Sequence, residues 1–340
     1  MSKGLFLTVV LALSLSACDQ QIAEDPGLIE MLKKDYELPV IEYPEDNEYS
    51  LERSALGKAL FFDKALSKNN DVSCASCHHP EYAFSDNKSF SKGTAGALGN
   101  SNSPSLSNIA YHPYYTRAGG VPSLEMQVLV PIQEHNELNT NIVDLAEKLK
   151  TNSSYQEAAR EAYDRELDPY VIVRALANFE RSLLSNNSPY DAFLQRNQEA
   201  SLSDQEKEGL NLFYSDRTNC STCHSGFNFT DYTFQNNGLY VDYQDSGRMR
   251  LTKLEEDRAL FKVPSLRNVW LTAPYMHDGS IPDLASVVEH YNSGGAAHKH
   301  KSELIRPLNL SDAEKRSLIS FLTTLTDQSF VENPTFKPEV

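Results

Sequence analysis

Cys74-Ala75-Ser76-Cys77-His78 and Cys220-Ser221-Thr222-Cys223-His224 decide what this chain can be. Two thiols with two residues between them can each form a thioether with one vinyl group of a haem. The histidine that follows is then placed to bind the iron from the proximal side. A lone Cys-x-x-Cys in a reducing compartment would read as a redox pair or half of a zinc site. Here two copies, each followed by histidine, use four of the five cysteines in 340 residues. They predict two covalently bound c-type haems, with His78 and His224 as proximal iron ligands.

The fifth cysteine reads differently. Met1-Ser2-Lys3 is a short basic start, and Gly4 to Leu15 is an apolar run too short to remain as a membrane span. It ends in Leu15-Ser16-Ala17-Cys18, which resembles the lipobox of bacterial lipoproteins. The expectation is a signal peptide over 1–17, lipidation at Cys18, and an exported protein tethered to the periplasmic face of a bacterial membrane. The formal net charge of −16 argues against a nucleic-acid partner and suits a basic or neutral protein.

Working outward from the two motifs, each has a similar setting. Leu60-Phe61-Phe62-Asp63 precedes the first and Leu212-Phe213-Tyr214-Ser215-Asp216 the second. Phe84-Ser85-Asp86 follows the first and Phe229-Thr230-Asp231 the second. Between them the spacing is helical: 142–149, 155–166, and an apolar helix opened by Pro169 and running to Leu184. Ser203-x-x-Glu206 and Ser311-x-x-Glu314 have the form of capping boxes, and Asn186 to Pro189 reads as a linker. Strand-like alternation is scarce, so the fold class is mainly α with long loops that wrap haems. The expected division is a tether and extension over 18–50, an N-terminal haem domain over 51–187, a C-terminal haem domain over 188–310, and a helix and tail over 311–340 packing back on the N-terminal domain.

In the second half, Asn236-Asn237-Gly238-Leu239, Asp245-Ser246-Gly247-Arg248, Phe261 to Val269 and Leu271-Thr272-Ala273-Pro274-Tyr275-Met276-His277-Asp278-Gly279 occur in order. With Leu60-Phe61-Phe62, these segments resemble the dihaem cytochrome c peroxidase and MauG superfamily from about Leu56 to Leu325, and most of all its MauG/MbnH-like branch. The resemblance implies two cytochrome c-like domains, one with a peroxide-reacting haem and one with an electron-transfer haem. In the peroxidases a histidine in the loop after the first motif caps the N-terminal iron. Ser85 to Ser101 contains none here, so that iron is expected to be open. The resemblance places Gln127, Pro131 and Glu137 above it, with Glu137 as the acid–base group for O–O cleavage.

Counting from His277 to the position where peroxidases carry methionine gives Tyr291, as in MauG. Leu284, Val287, Val288 and Tyr291 share one helical face, and Asn292-Ser293-Gly294-Gly295 stops the helix. Met276 and His290 are alternative ligands at this iron. His277 resembles a histidine of the haem surroundings. The resemblance further implies a calcium ion between the haems, held by the Asn102 side chain and the backbone oxygens of Thr272 and Pro274. Where many relatives have an inter-haem tryptophan this chain has Arg117, leaving Tyr114, Tyr115 or Trp270 to relay electrons.

Three functions are weighed on these ligands. A MauG-like oxidase would use hydrogen peroxide to oxidise a tryptophan or tyrosine of a partner protein, with Tyr291 favouring oxidised states. A cytochrome c peroxidase would draw electrons from a small cytochrome or the quinone pool, and would want the missing histidine and methionine. A tethered electron carrier would have no use for Gln127, Pro131 and Glu137. The first is expected.

Overall fold

The computed structural model describes residues 26–195 and 201–338, so the expected signal peptide and Cys18 lie outside the described residues. Its helices are Pro26–Asp35 (α1), Leu51–Phe62 (α2), Leu124–Gln133 (α3), Ile142–Leu149 (α4), Ser153–Tyr163 (α5), Pro169–Arg181 (α6), Pro189–Gln195 (α7), Asp204–Phe213 (α8), Cys220–Cys223 (α9), Met249–Thr252 (α10), Leu284–Ser293 (α11), Asp312–Thr323 (α12) and Gln328–Glu332 (α13). One small antiparallel pair, Phe234–Gln235 (β1) with Phe261–Lys262 (β2), is the sheet among the described residues. No described helix is long and apolar enough to cross a membrane.

Sequence signals fix the helix starts. Both expected capping boxes form, with Ser203 and Glu206 opening α8 and Ser311 and Glu314 opening α12. Pro169 opens α6 behind the Asp168 cap, where its missing N–H costs nothing.

Each half is built on a crossed helix pair, and a glycine sets the crossing. A Cβ on Gly57 of α2 would lie 1.9 Å from the Ala175 carbonyl oxygen and 2.8 Å from the Phe179 Cβ on α6. A Cβ on Gly209 of α8 would meet Ser317 and Phe321 of α12 at the same two distances. Phe61 then packs edge to face on Phe84 and Phe179 in the first half, and Phe229 on Phe213 and Phe321 in the second. All six are essentially buried, each contributing about 1.5–3 kcal/mol of apolar transfer. The Leu-Phe-Phe and Leu-Phe-Tyr segments are thus two copies of one packing unit. Because the obstacle is backbone, Gly209→Ala is expected to destabilise the protein by about 1–3 kcal/mol. A lowered urea midpoint of the holo-protein measures it, and an unchanged midpoint refutes the tight crossing.

The termini exchange halves. Leu28, Ile29, Leu32 and Tyr36 of the N-terminal extension pack on the second core. There the Tyr36 hydroxyl donates to Asp191 at 2.5 Å, beside the fully buried Arg267–Asp191 ion pair at 2.7 Å. The C-terminal segment corrects the expectation for 311–340. Helix α12 stays with the second core against α8, and only the tail returns to the first core through Phe330, Val331 and Phe336.

Candidate active site

The two histidines of the Cys-x-x-Cys-His motifs are held alike. The His78 Nδ1 lies 2.8 Å from the Phe84 carbonyl oxygen, and the His224 Nδ1 lies 3.0 Å from that of Phe229. A carbonyl accepts, so Nδ1 carries the proton in each and Nε2 is left as the free lone pair for iron. Burial lowers the pKa of both rings, keeping them neutral as ligands must be. Burial also raises all four thiols, Cys77 to about 11, so none has the exposed, low-pKa character of a redox-active cysteine. The donor set fits two c-type haems, and His78, Cys74, Cys77, His224, Cys220 and Cys223 would hold them.

A gapless structural repeat supplies an equivalent turn, bridge and helix to each half. Asn108 and Asn268 both have φ 59° and open a short 3-10 turn. Tyr115 pairs with Val121 as Tyr275 pairs with Ile281. Helices α3 and α11 follow, beginning at Leu124 and Leu284. Corresponding residues stand 160 apart throughout, so Pro131 on α3 is the counterpart of Tyr291 on α11. The same position therefore carries a phenol in one half and a ring with no ligating atom in the other.

In the first half, Gln127 lies on α3 with a buried Oε1 that has no hydrogen-bond partner. An orphaned buried acceptor normally answers to a ligand or water. Glu137 sits in the following loop, with its backbone pinned from two sides. The Thr94 N–H donates to its carbonyl at 2.8 Å, and Gly93 leaves no room for a Cβ beside it. The loop that lacks a capping histidine thus buttresses Glu137 instead. Glu137 is exposed, yet neighbouring protein atoms push its pKa up, with Glu134 adding a like charge. The Glu137 charge acts on both Cys74 and Cys77 of the first motif. Glu125 has a different role: Arg181 and Asn47 bind its carboxylate at 2.5 and 2.8 Å and fix the start of α3. One acid escaped the sequence reading. Glu180 on α6 is buried, its pKa is raised to about 8 by burial, and it acts on Cys74. The signal was a charge on an otherwise apolar helix face.

In the second half, Tyr291 is surrounded by Cys220, Cys223, Tyr243 and Asn237; burial raises its pKa and the Asn237 amide partly offsets this. Asn237 also ties down both alternative ligands. Its Nδ2 donates to the Met276 sulfur at 3.1 Å, and its carbonyl oxygen is 3.0 Å from the His290 Nε2. His277 stacks on Phe261 at 4.2 Å and stays neutral through burial.

Residues 51–199 match the sequence family described as di-haem cytochrome c peroxidase, and residues 261–292 one described as RoxA-like, cytochrome c-like. The methylamine utilization protein MauG of Methylorubrum extorquens is 34% identical over 289 residues, covering 84% of this chain and 81% of that one. The cytochrome c551 peroxidase of Pseudomonas aeruginosa is 30% identical over 296 residues, covering 84% and 82%. The crystal structure of a MauG-like protein associated with microbial copper homeostasis has a TM-score of 0.84 at 32% identity, covering 88% of this chain and 96% of that one. The chain belongs to the di-haem cytochrome c peroxidase and MauG family. It is therefore a haem-dependent oxidoreductase with two c-type haems.

Of the three expected calcium ligands, Asn102 is engaged by Arg117. The Asn102 Oδ1 accepts from the Arg117 guanidinium at 3.0 Å, and the Asn102 carbonyl accepts from it at 2.7 Å. The relay candidates also separate. Trp270 is 52% exposed on the surface, whereas Tyr115 is buried in the first core. Tyr114 crosses between the halves, stacking on Phe234 at 5.3 Å and donating to the Tyr232 carbonyl.

Proposed function

We propose that this enzyme is a MauG-like oxidase that uses hydrogen peroxide to oxidise a tryptophan or tyrosine side chain of a partner protein. The observation that carries the reading is the unlike pair of distal residues, Pro131 in the first half and Tyr291 at the same position in the second. When bound, the haems supply the redox chemistry of peroxide cleavage and hold the oxidising equivalents until the partner delivers electrons. Pro131 offers no donor atom and the loop of residues 85–101 carries no histidine, so peroxide would meet no side-chain ligand from either place. Glu137 takes a proton from the inner oxygen of peroxide and returns one to the outer oxygen, which leaves as water. The Gln127 amide orients the peroxide through its unpartnered polar end. Tyr291 would supply a hard oxygen donor to the second haem, which would favour the more oxidised states of iron over the reduced one.

A cytochrome c peroxidase of the kind that draws on a small cytochrome needs a low-barrier electron entry port, and a phenol oxygen works against one. The partner is an exported protein with a basic or neutral face toward this acidic chain. Export and tethering to the periplasmic face through Cys18 rest on the lipobox-like sequence.

The test is rapid mixing of hydrogen peroxide with the diferric holo-protein, followed by EPR. Both ferric signals are expected to vanish together without prior reduction. A protein that reacts only after one haem has been reduced would return it to the cytochrome c peroxidases.

A further inference from the structure

The repeat makes a pseudo-twofold joint between the halves, and the two copies of that joint differ in their charge. The Asn102 N–H donates to the His277 carbonyl at 3.0 Å, and the Lys262 N–H donates to the Arg117 carbonyl at 2.7 Å. Asn102 and Lys262 stand 160 residues apart, as do Arg117 and His277, so this is one hydrogen bond made twice.

In the Lys262 copy, its ammonium donates to the Tyr114 carbonyl at 2.8 Å and lies 3.2 Å from the His112 Nδ1. The counterparts of His112 and Tyr114 are Thr272 and Pro274, the residues expected to hold calcium together with Asn102. A side-chain cation therefore stands in one copy where a metal ion was expected in the other.

In the Asn102 copy the corresponding side chain is neutral, and Arg117 supplies the charge from across the joint. Its Nε and Nη2 donate to the Asn102 carbonyl at 3.2 and 2.7 Å, and Nη2 also reaches Oδ1 at 3.0 Å. The Asn102 Nδ2 donates to the Lys88 carbonyl at 3.0 Å, which fixes the amide with Oδ1 toward Arg117. Asp245 and Asp278 add favourable charge at longer range. A divalent ion bound to the same Oδ1 would sit against the guanidinium, and like charges repel strongly where water is scarce.

We infer that this chain builds the cations of its inter-haem joint from its own side chains, Arg117 on one side and Lys262 on the other, and needs no divalent ion there. The inference rests on the repeat and its hydrogen bonds, and is independent of what the enzyme oxidises.

The experiment uses the diferric holo-protein, dialysed against EGTA and then metal-free buffer. Calcium is measured by mass spectrometry, and both ferric EPR signals and the thermal midpoint are recorded with and without added calcium. Far less than one calcium per chain, with signals and midpoint unmoved by chelation or calcium, is the expected result. A retained equivalent of calcium, or EPR signals that change on chelation and recover with calcium, overturns the inference. Arg117→Met is expected to bind calcium at least about tenfold more tightly than the parent and to become chelator-sensitive. An Arg117→Met protein identical to the parent in calcium binding, EPR and midpoint also overturns it. Should Arg117→Met fail to fold, Arg117→Lys decides: it keeps a cation and should stay insensitive to chelation, and a chelator-sensitive Arg117→Lys protein sinks the idea.

Discussion

Glu137→Gln is expected to slow the reaction of the diferric enzyme with hydrogen peroxide by about 10²- to 10⁴-fold, with both haems still attached. Glutamine keeps the size of the side chain and the backbone contacts to Thr94 and Gly93, and loses only the ability to take up a proton. The pH dependence follows from the same group. Desolvation by neighbouring protein atoms raises the pKa of the Glu137 carboxyl, and Glu134 raises it further. The base form is needed for the first proton transfer, so the rate should climb with pH through this pKa. The climb should lie above the ordinary glutamate value of about 4.3. Glu134→Gln removes a like charge and should move the climb toward lower pH, leaving the plateau rate in place. Stopped-flow rates across the acid range measure both. A wild-type rate in Glu137→Gln would remove Glu137 from the chemistry, and an unmoved climb in Glu134→Gln would show that another group controls it.

The haem attachment sites were legible because covalent chemistry leaves a local signature: two thiols and a histidine must be close in sequence to serve one haem. The helix starts were legible for the same reason, since a capping box spans only three residues. The crossing glycines were half visible. Leu60-Phe61-Phe62 and Leu212-Phe213-Tyr214 announced a repeated unit, but Gly57 and Gly209 gain meaning only when Ala175 and Ser317 approach them.

A longer repeat is present in the sequence. Asn108, Tyr115, Gly119, Pro122, Leu124 and Val128 recur in register as Asn268, Tyr275, Gly279, Pro282, Leu284 and Val288. The structure gives the reason for its persistence: both copies make the same turn, the same short bridge and the same helix start. The exchange of termini was not legible at all. Leu28, Ile29, Leu32 and Tyr36 say that one face of α1 is covered, and nothing local says by which core. Arg117 was noticed as an oddity at a tryptophan position, while its partner Asn102 was assigned to calcium. Only the fold brings the two together across the joint.

Tyr291→Met is expected to raise the midpoint potential of one haem by about 0.1 V or more and leave the other nearly unmoved. A thioether stabilises ferrous iron, whereas an oxygen donor stabilises ferric and higher states. Methionine is unbranched and adaptable, and from the same position on α11 it can reach the space Tyr291 fills. Position 291 faces Cys220 and Cys223, while its counterpart Pro131 belongs to the first site, so the effect should be confined to the second haem. Peroxide should then no longer clear both ferric EPR signals together, because the second iron has lost the donor that let it share the oxidising equivalents. Tyr291→Phe separates ligand from bulk: it keeps the ring and removes the oxygen, and should open the second iron to exogenous ligands such as cyanide. Spectroelectrochemistry and cyanide titration read the two variants. If neither variant changes the second haem, the ligand is Met276 or His290, and Asn237 must release one of them from the hydrogen bonds that now hold both. The MauG-like reading would then lose its support, since the oxygen donor is what sets the second haem against serving as an electron entry port.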